Sequence, residues 1–229
     1  MQTAPGGLNP NEPGYSSNFK DGQRAMGNFA NVISFIAIGV FSVSGVLAGA
    51  RKGADIFSLL VFGLVTALGG GTIRDMILNI PVFWVDDMTY IWIAAGAAVL
   101  AFFIYRQIAQ GQSLLLYLDA VGVALFTIQA IDKVLGLGHP PLIAIIMGII
   151  TGIGGGLVRD VLTDRPTLLM TKDLYATPIL IGSVVYLALL SLAPNFPLSW
   201  LVAMLIIFGL RAAAIYWNLS MPGWLTAKA

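Results

Sequence analysis

Polar and apolar positions divide the chain into long apolar runs separated by short polar turns. The runs fall at roughly Phe29 to Ala50, Ile56 to Ile80, Thr89 to Tyr105, Leu114 to Val134, Pro141 to Leu162, Leu174 to Leu192 and Leu198 to Tyr216. A bilayer core about 30 Å thick takes a helix of about 20 apolar residues, so the pattern predicts seven transmembrane helices. No run alternates polar and apolar positions as a barrel strand does, and a helix satisfies its own backbone in lipid. Residues 1–28, rich in Gly, Pro, Asn and Ser, have no apolar core and no small-residue cleavage site, which predicts a flexible tail rather than a signal peptide. Met221 and Pro222 stop the last span, leaving a short polar tail over residues 219–229.

The runs repeat. Gly69-Gly70-Gly71-Thr72-Ile73-Arg74-Asp75 recurs as Gly154-Gly155-Gly156-Leu157-Val158-Arg159-Asp160, and Arg159 lies 85 positions after Arg74. The same offset carries Phe41 to Phe126, Gly53 to Gly138, Gly63 to Gly148, Thr66 to Thr151, Pro81 to Pro166 and Tyr90 to Tyr175 without a gap. Each copy holds three spans, an odd number, so the second must enter the membrane from the opposite side. The predicted architecture is an all-α membrane protein with an inverted 3+3 repeat, residues 29–110 and 111–195, followed by a seventh helix over 196–218.

Three consecutive glycines remove the side chains that hold a helix together, and an Arg-Asp pair then places charge where hydrocarbon is expected. Ile56 to Leu68 covers roughly 20 Å at 1.5 Å per residue, short of the far side of the core. The second and fifth spans are therefore predicted to break at their glycine triplets, freeing the carbonyls of Thr66, Ala67 and Leu68 toward a polar pathway. On that geometry Asp75 suits the positive end of a resumed helix and Arg74 does not. Close packing is the alternative role for the glycines: Gly63, Ala67 and Gly71 form a small-residue stripe, matched by Gly148, Gly152 and Gly156. For Arg74 and Arg159 the alternative is snorkelling to the headgroups.

Composition narrows the function. Hydrophobic residues make up 58% of the chain and charged ones 10%, and a net charge of +1 offers no nucleic-acid surface. Without cysteine, and with His139 as its one histidine, the chain lacks a nucleophile paired with a base and a metal-binding cluster, so neither an enzyme nor a bound cofactor is expected. Basic residues set the orientation. Arg51, Lys52, Arg106, Arg165, Lys172, Arg211 and Lys228 fall on one side, against Lys20, Arg24 and Lys133 on the other. Seven against three predicts a cytoplasmic C-terminus and an N-terminus outside the cell membrane.

Other polar residues within the spans are candidates of lower weight. Ser42 and Ser44 in the first span match Thr127 and Gln129 in the fourth, and Ser44 and Gln129 are taken as pathway candidates beside the two motifs. Asp119, Asp132 and Lys133 lie near the ends of the fourth span, and the five tryptophans near span ends read as an interfacial belt.

The doubled GGGxxRD motif, with Pro81 to Val85 and Tyr175 to Thr177, resembles a bacterial membrane family labelled as glycine transporters, itself similar to the trimeric intracellular cation (TRIC) channels. The resemblance runs from about Asn31 to Trp217. It implies a homotrimer in which each subunit holds its own pore, with the second and fifth helices kinked at the glycines. On the matching positions, Gly69, Gly70, Gly71, Arg74, Asp75, Gly154, Gly155, Gly156, Arg159 and Asp160 are then the pore residues. Animal members carry a lysine-containing second motif and bind phosphoinositide there; this sequence keeps GGGLVRD. The expected function is a channel for potassium and other monovalent cations, surrounded by membrane lipid. A secondary transporter of glycine or another small zwitterion is the alternative, since an arginine and a carboxylate together suit such a ligand.

Overall fold

The computed structural model describes residues 15–108, 112–170, 174–193 and 196–220. These form helices α1 (Tyr15–Ala50), α2 (Ile56–Ile77), α3 (Phe83–Asp86), α4 (Thr89–Ile108), α5 (Gln112–Gly136), α6 (Pro141–Leu162), α7 (Ala176–Leu192) and α8 (Ser199–Trp217), with a 3-10 turn at Leu168–Met170. Five helices are long and apolar enough to cross a membrane, and two shorter apolar ones span Thr89–Tyr105 and Ala176–Leu192. The protein is an all-helical membrane protein.

Local chemistry accounts for the ends. Asp55 caps α2 by accepting a hydrogen bond from the Ser58 amide at 2.8 Å, which holds its carboxyl below the usual carboxylate range. Pro141 opens α6, where a missing N–H costs nothing. Gly53 and Gly138, 85 positions apart, turn the chain ahead of α2 and α6 with φ of 75° and 84°. Asn79 and Asp164, again 85 apart, take left-handed conformations after the same two helices. α2 and α6 thus begin and end at equivalent positions of the two copies.

Two sequence expectations change. α1 starts at Tyr15, so the second half of the segment expected to be an irregular tail is helical. Lys20, Gln23, Arg24, Ala25 and Met26 are sound helix formers, and extending a helix already nucleated by an apolar span avoids the cost of nucleation. Residues 1–14 and 221–229, with Lys228, and also Lys172, lie outside the described residues. More consequentially, α2 and α6 run through their glycine triplets without interruption.

The reason is packing. α2 and α6 cross at the glycines, where a Cβ on Gly70 would collide with the Thr151 carbonyl oxygen, and one on Gly155 with the Thr66 carbonyl oxygen. Such reciprocal backbone contact is open to glycine alone, and it lets each helix keep its own hydrogen bonds. Phe41 and Phe126 stack beside the crossing with ring centroids 5.3 Å apart, one from each copy. Gly63 and Gly148 receive α1 and α5, where an added Cβ would meet Ser42 Oγ at 2.8 Å and Ile131 Cγ1 at 2.7 Å.

Candidate functional site

Each Arg-Asp motif ends one of the two crossing helices, so the motifs lie at opposite ends of the α2–α6 pair. Arg74 stands in the last turn of α2 and Arg159 in the last turn of α6. With the helices unbroken, the arginine rather than the aspartate suits the local helix dipole, reversing the sequence expectation. The repeated wiring is close. Arg74 Nε donates to Asp75 Oδ1 at 2.8 Å, and Arg159 Nε to Asp160 Oδ1 at 2.9 Å. The other oxygen of each aspartate accepts a backbone amide eight residues on, Phe83 at 3.0 Å and Leu168 at 3.2 Å. The carboxylates thus tie the chain after each helix back onto that helix.

Beyond this shared core the two ends differ. At the Arg74 end, Lys133 from α5 donates to Asp75 Oδ1 at 2.9 Å and is 35% exposed. A cavity of about 320 Å³ opens there, lined by Asn31, Ser34, Gly71, Arg74, Tyr90, Gln129, Asp132 and Lys133 with Ile38, Phe83 and Phe126. Gln129 accepts from Ser34 Oγ at 2.9 Å, and its Nε2 is buried with no hydrogen-bond partner among the described residues. Asp132 accepts a short hydrogen bond from the Tyr186 hydroxyl of α7. The cavity therefore offers cationic and amide donors together with one further carboxylate.

At the Arg159 end the groups are sealed. Arg159 is fully buried, and its Nη1 donates to Asp119 Oδ1 at 3.0 Å and to Ser44 Oγ at 3.2 Å. Neither arginine reaches for the surface, which removes snorkelling as the explanation of the motif. A methyl group at Gly156 would come within 2.8 Å of Asp119 Oδ1, 3.4 Å of the Tyr175 hydroxyl and 3.5 Å of Arg159 Nη2. Gly156 thus leaves room for a polar centre, whereas Gly71 makes room for the Phe83 ring. Ser44 and Gln129, equivalent in the repeat, serve opposite ends and do not meet.

Four residues of this arrangement were given no role in the site by the sequence. Lys133 and Asp119 have Ala48 and Ser34 as repeat counterparts, so each is a charge that one copy has and the other lacks, a difference that could have marked them. Tyr175 was visible as the partner of Tyr90 without a role. Arg211, counted as a cytoplasmic charge, lies inside α8, 1% exposed, with its guanidinium 4.5 Å from the centre of the Tyr175 ring. Orientation then rests on the remaining basic residues.

Comparison with known proteins agrees with this geometry. The sequence model of the family described as "Glycine transporter" matches residues 31–106 and again residues 116–191, two copies in the register found above. The UPF0126 inner membrane protein YadS of Escherichia coli is 38% identical over 193 residues, covering 83% of this chain and 93% of that protein. The chain belongs to this TRIC-like membrane family. A UPF0126 membrane protein of Vibrio cholerae is 37% identical over 199 residues, with 86% and 83% of the two chains covered. Among solved structures, the TRIC trimeric intracellular cation channel orthologue of Rhodobacter sphaeroides has a TM-score of 0.79 at 35% identity, covering 83% of this chain and 99% of that one. A structure described as the basis for conductance through TRIC cation channels has a TM-score of 0.75 at 31% identity, over 87% and 98% of the two chains.

Proposed function

We propose that the protein is a monovalent-cation channel, potassium among its ions, in which α1, α2 and α4 to α8 span the cell membrane and each subunit of a homotrimer holds its own pathway. The pathway follows the α2–α6 pair: in through the cavity at Arg74 and Lys133, past the crossing at Gly70 and Gly155, and out through the polar centre at Arg159, Asp119 and Ser44. The observation that carries this is the pair of equivalent Arg-Asp clusters at the two ends of crossing helices, one beside a polar cavity and the other shut. The likeness to solved cation channels points the same way. In the arrangement seen here the crossing is backbone on backbone, so conduction requires α2 and α6 to bend or part at the glycines. Reconstituted protein in planar bilayers should show discrete unitary currents carried by potassium. Silent bilayers containing correctly assembled protein would count against a channel.

One observation favours a carrier for a small zwitterion as the second possibility. The cavity sets Arg74 and the Gln129 amide, unpartnered among the described residues and suited to a carboxylate, in one space with Asp132, suited to an ammonium group. Saturable glycine counterflow without unitary currents would decide for it.

We place the Arg74 end outside the cell and the Arg159 end in the cytoplasm, following the excess of basic residues next to the latter. In the cysteine-free chain, Asp86→Cys should react with an impermeant thiol reagent in intact cells and Lys52→Cys should react after permeabilisation alone. The reverse labelling pattern would overturn this orientation.

A further inference from the structure

The extra helix α8 has no counterpart in the repeat, yet it carries a buried arginine to the sealed end of the pathway. Arg211 Nη1 donates to the Leu174 carbonyl at 3.0 Å, its guanidinium stacks on Tyr175, and it interacts electrostatically with Asp119. Its Nε has no hydrogen-bond partner among the described residues, so local hydrogen bonding does not by itself explain an ion there. Charge balance does. Arg159 faces two buried carboxylates, Asp119 and Asp160, and with both ionised it alone leaves the cluster at minus one. Arg211 brings it to zero. Arg165 also interacts with Asp160, but stands partly exposed at the rim where water screens it. The Arg74 end reaches the same balance from within the repeat, with Arg74 and Lys133 against Asp75 and Asp132.

We propose that Arg211 is the positioning residue that keeps the Arg159 end shut, by neutralising the Asp119–Arg159–Asp160 cluster and holding Tyr175 over it. A neutral cluster can stay dry inside a membrane protein. A cluster one charge short draws in water, because an uncompensated buried carboxylate is far costlier than a hydrated one. Helix α8 thus acts as a latch on the pathway. This rests on the two polar ends forming one pathway, and its test needs no ion current.

The test places a reporter, Ser44→Cys, in the full-length cysteine-free protein in phospholipid nanodiscs, where both faces meet a charged methanethiosulfonate reagent. With Arg211 present the thiol should be protected. Arg211→Met should speed labelling by about tenfold or more, the change that 1.4 kcal/mol against the shut state produces. Arg211→Lys should stay near the parent rate, because the charge is kept. Adding Asp119→Asn to Arg211→Met restores neutrality and should restore protection, which a loss of mere packing could not do. An unchanged rate in the methionine variant overturns the proposal, as does fast labelling in the lysine variant or in the double variant. Should the methionine variant fail to assemble, an assembled double variant with a protected thiol supports the proposal and its equal failure overturns it. Absence of currents from the parent protein would remove the channel and leave this outcome standing.

Discussion

Leucine at Gly70 or Gly155 will cut transport at least tenfold and lower the yield of assembled protein, whereas alanine at Gly69 will do neither. The reason lies in what each Cβ would meet. At Gly70 and Gly155 it meets a carbonyl oxygen of the opposite helix, and a backbone carbonyl has no rotamer by which to move away. Overpacking of an ordinary core costs about 1–3 kcal/mol, and two helices forced apart along their crossing sit at the upper end of that range or beyond. At Gly69 the nearest atom to an added Cβ is Val158 Cγ2 at 3.9 Å, an ordinary contact. Gly154 lies between these cases, with Gly70 Cα at 3.2 Å. Size-exclusion profiles of detergent extracts report assembly, and potassium flux into vesicles reports transport. Well-assembled Gly70→Leu protein with near-normal flux would show that the crossing is not where the pathway opens.

The same glycines mark where the sequence could and could not be read. The ends of the apolar spans followed from hydropathy to within a few residues, apart from the start of α1, because lipid leaves an apolar run few other folds. The offset of 85 predicted equivalences that reach down to single hydrogen bonds, as Phe83 and Leu168 on the two aspartates illustrate. A run of three glycines, however, does not say whether the helix breaks or packs. Propensity argues for a break, and the decision falls to the partner helix, which is distant in sequence and itself glycine-lined. The charge partners were hidden for a related reason. Lys133 and Asp75 are 58 residues apart, and Arg159 and Asp119 are 40 apart. Such pairings exist only once α5 is packed against α2 and α6. Arg211 was counted with the cytoplasmic end of the last apolar run, and its partner Tyr175 lies on a segment distant in sequence.

Among the charges, Arg159→Ala and Asp75→Ala will show the largest effects, and of different kinds. Removing Arg159 leaves Asp119 and Asp160 facing each other in a fully buried site, with Arg211 as the remaining close cation. Breaking a buried pair in this way typically costs about 3–5 kcal/mol, so the expected result is loss of assembly or a sharp fall in thermal stability. Removing Asp75 instead leaves Arg74 and Lys133 at a cavity with water-sized space, where the protein has a way to tolerate them. Arg74 and Lys133 then stand at the proposed entrance with Asp132 as the remaining carboxylate of the cavity lining, an excess of one positive charge. At an effective dielectric of about 20, one unit charge at 4 Å acts with about 4 kcal/mol, and even after screening a roughly tenfold fall in unitary conductance is expected. Adding Lys133→Met to Asp75→Ala should recover much of the conductance, because one of the two repulsive charges is gone. Arg74→Ala should keep or raise it, since Asp75 retains Lys133 as partner. A carrier that grips a carboxylate through Arg74 behaves in the opposite way, losing glycine uptake in Arg74→Ala. Measured in the same vesicles, equal conductance in the parent, Asp75→Ala and Arg74→Ala would mean that ions never pass these side chains.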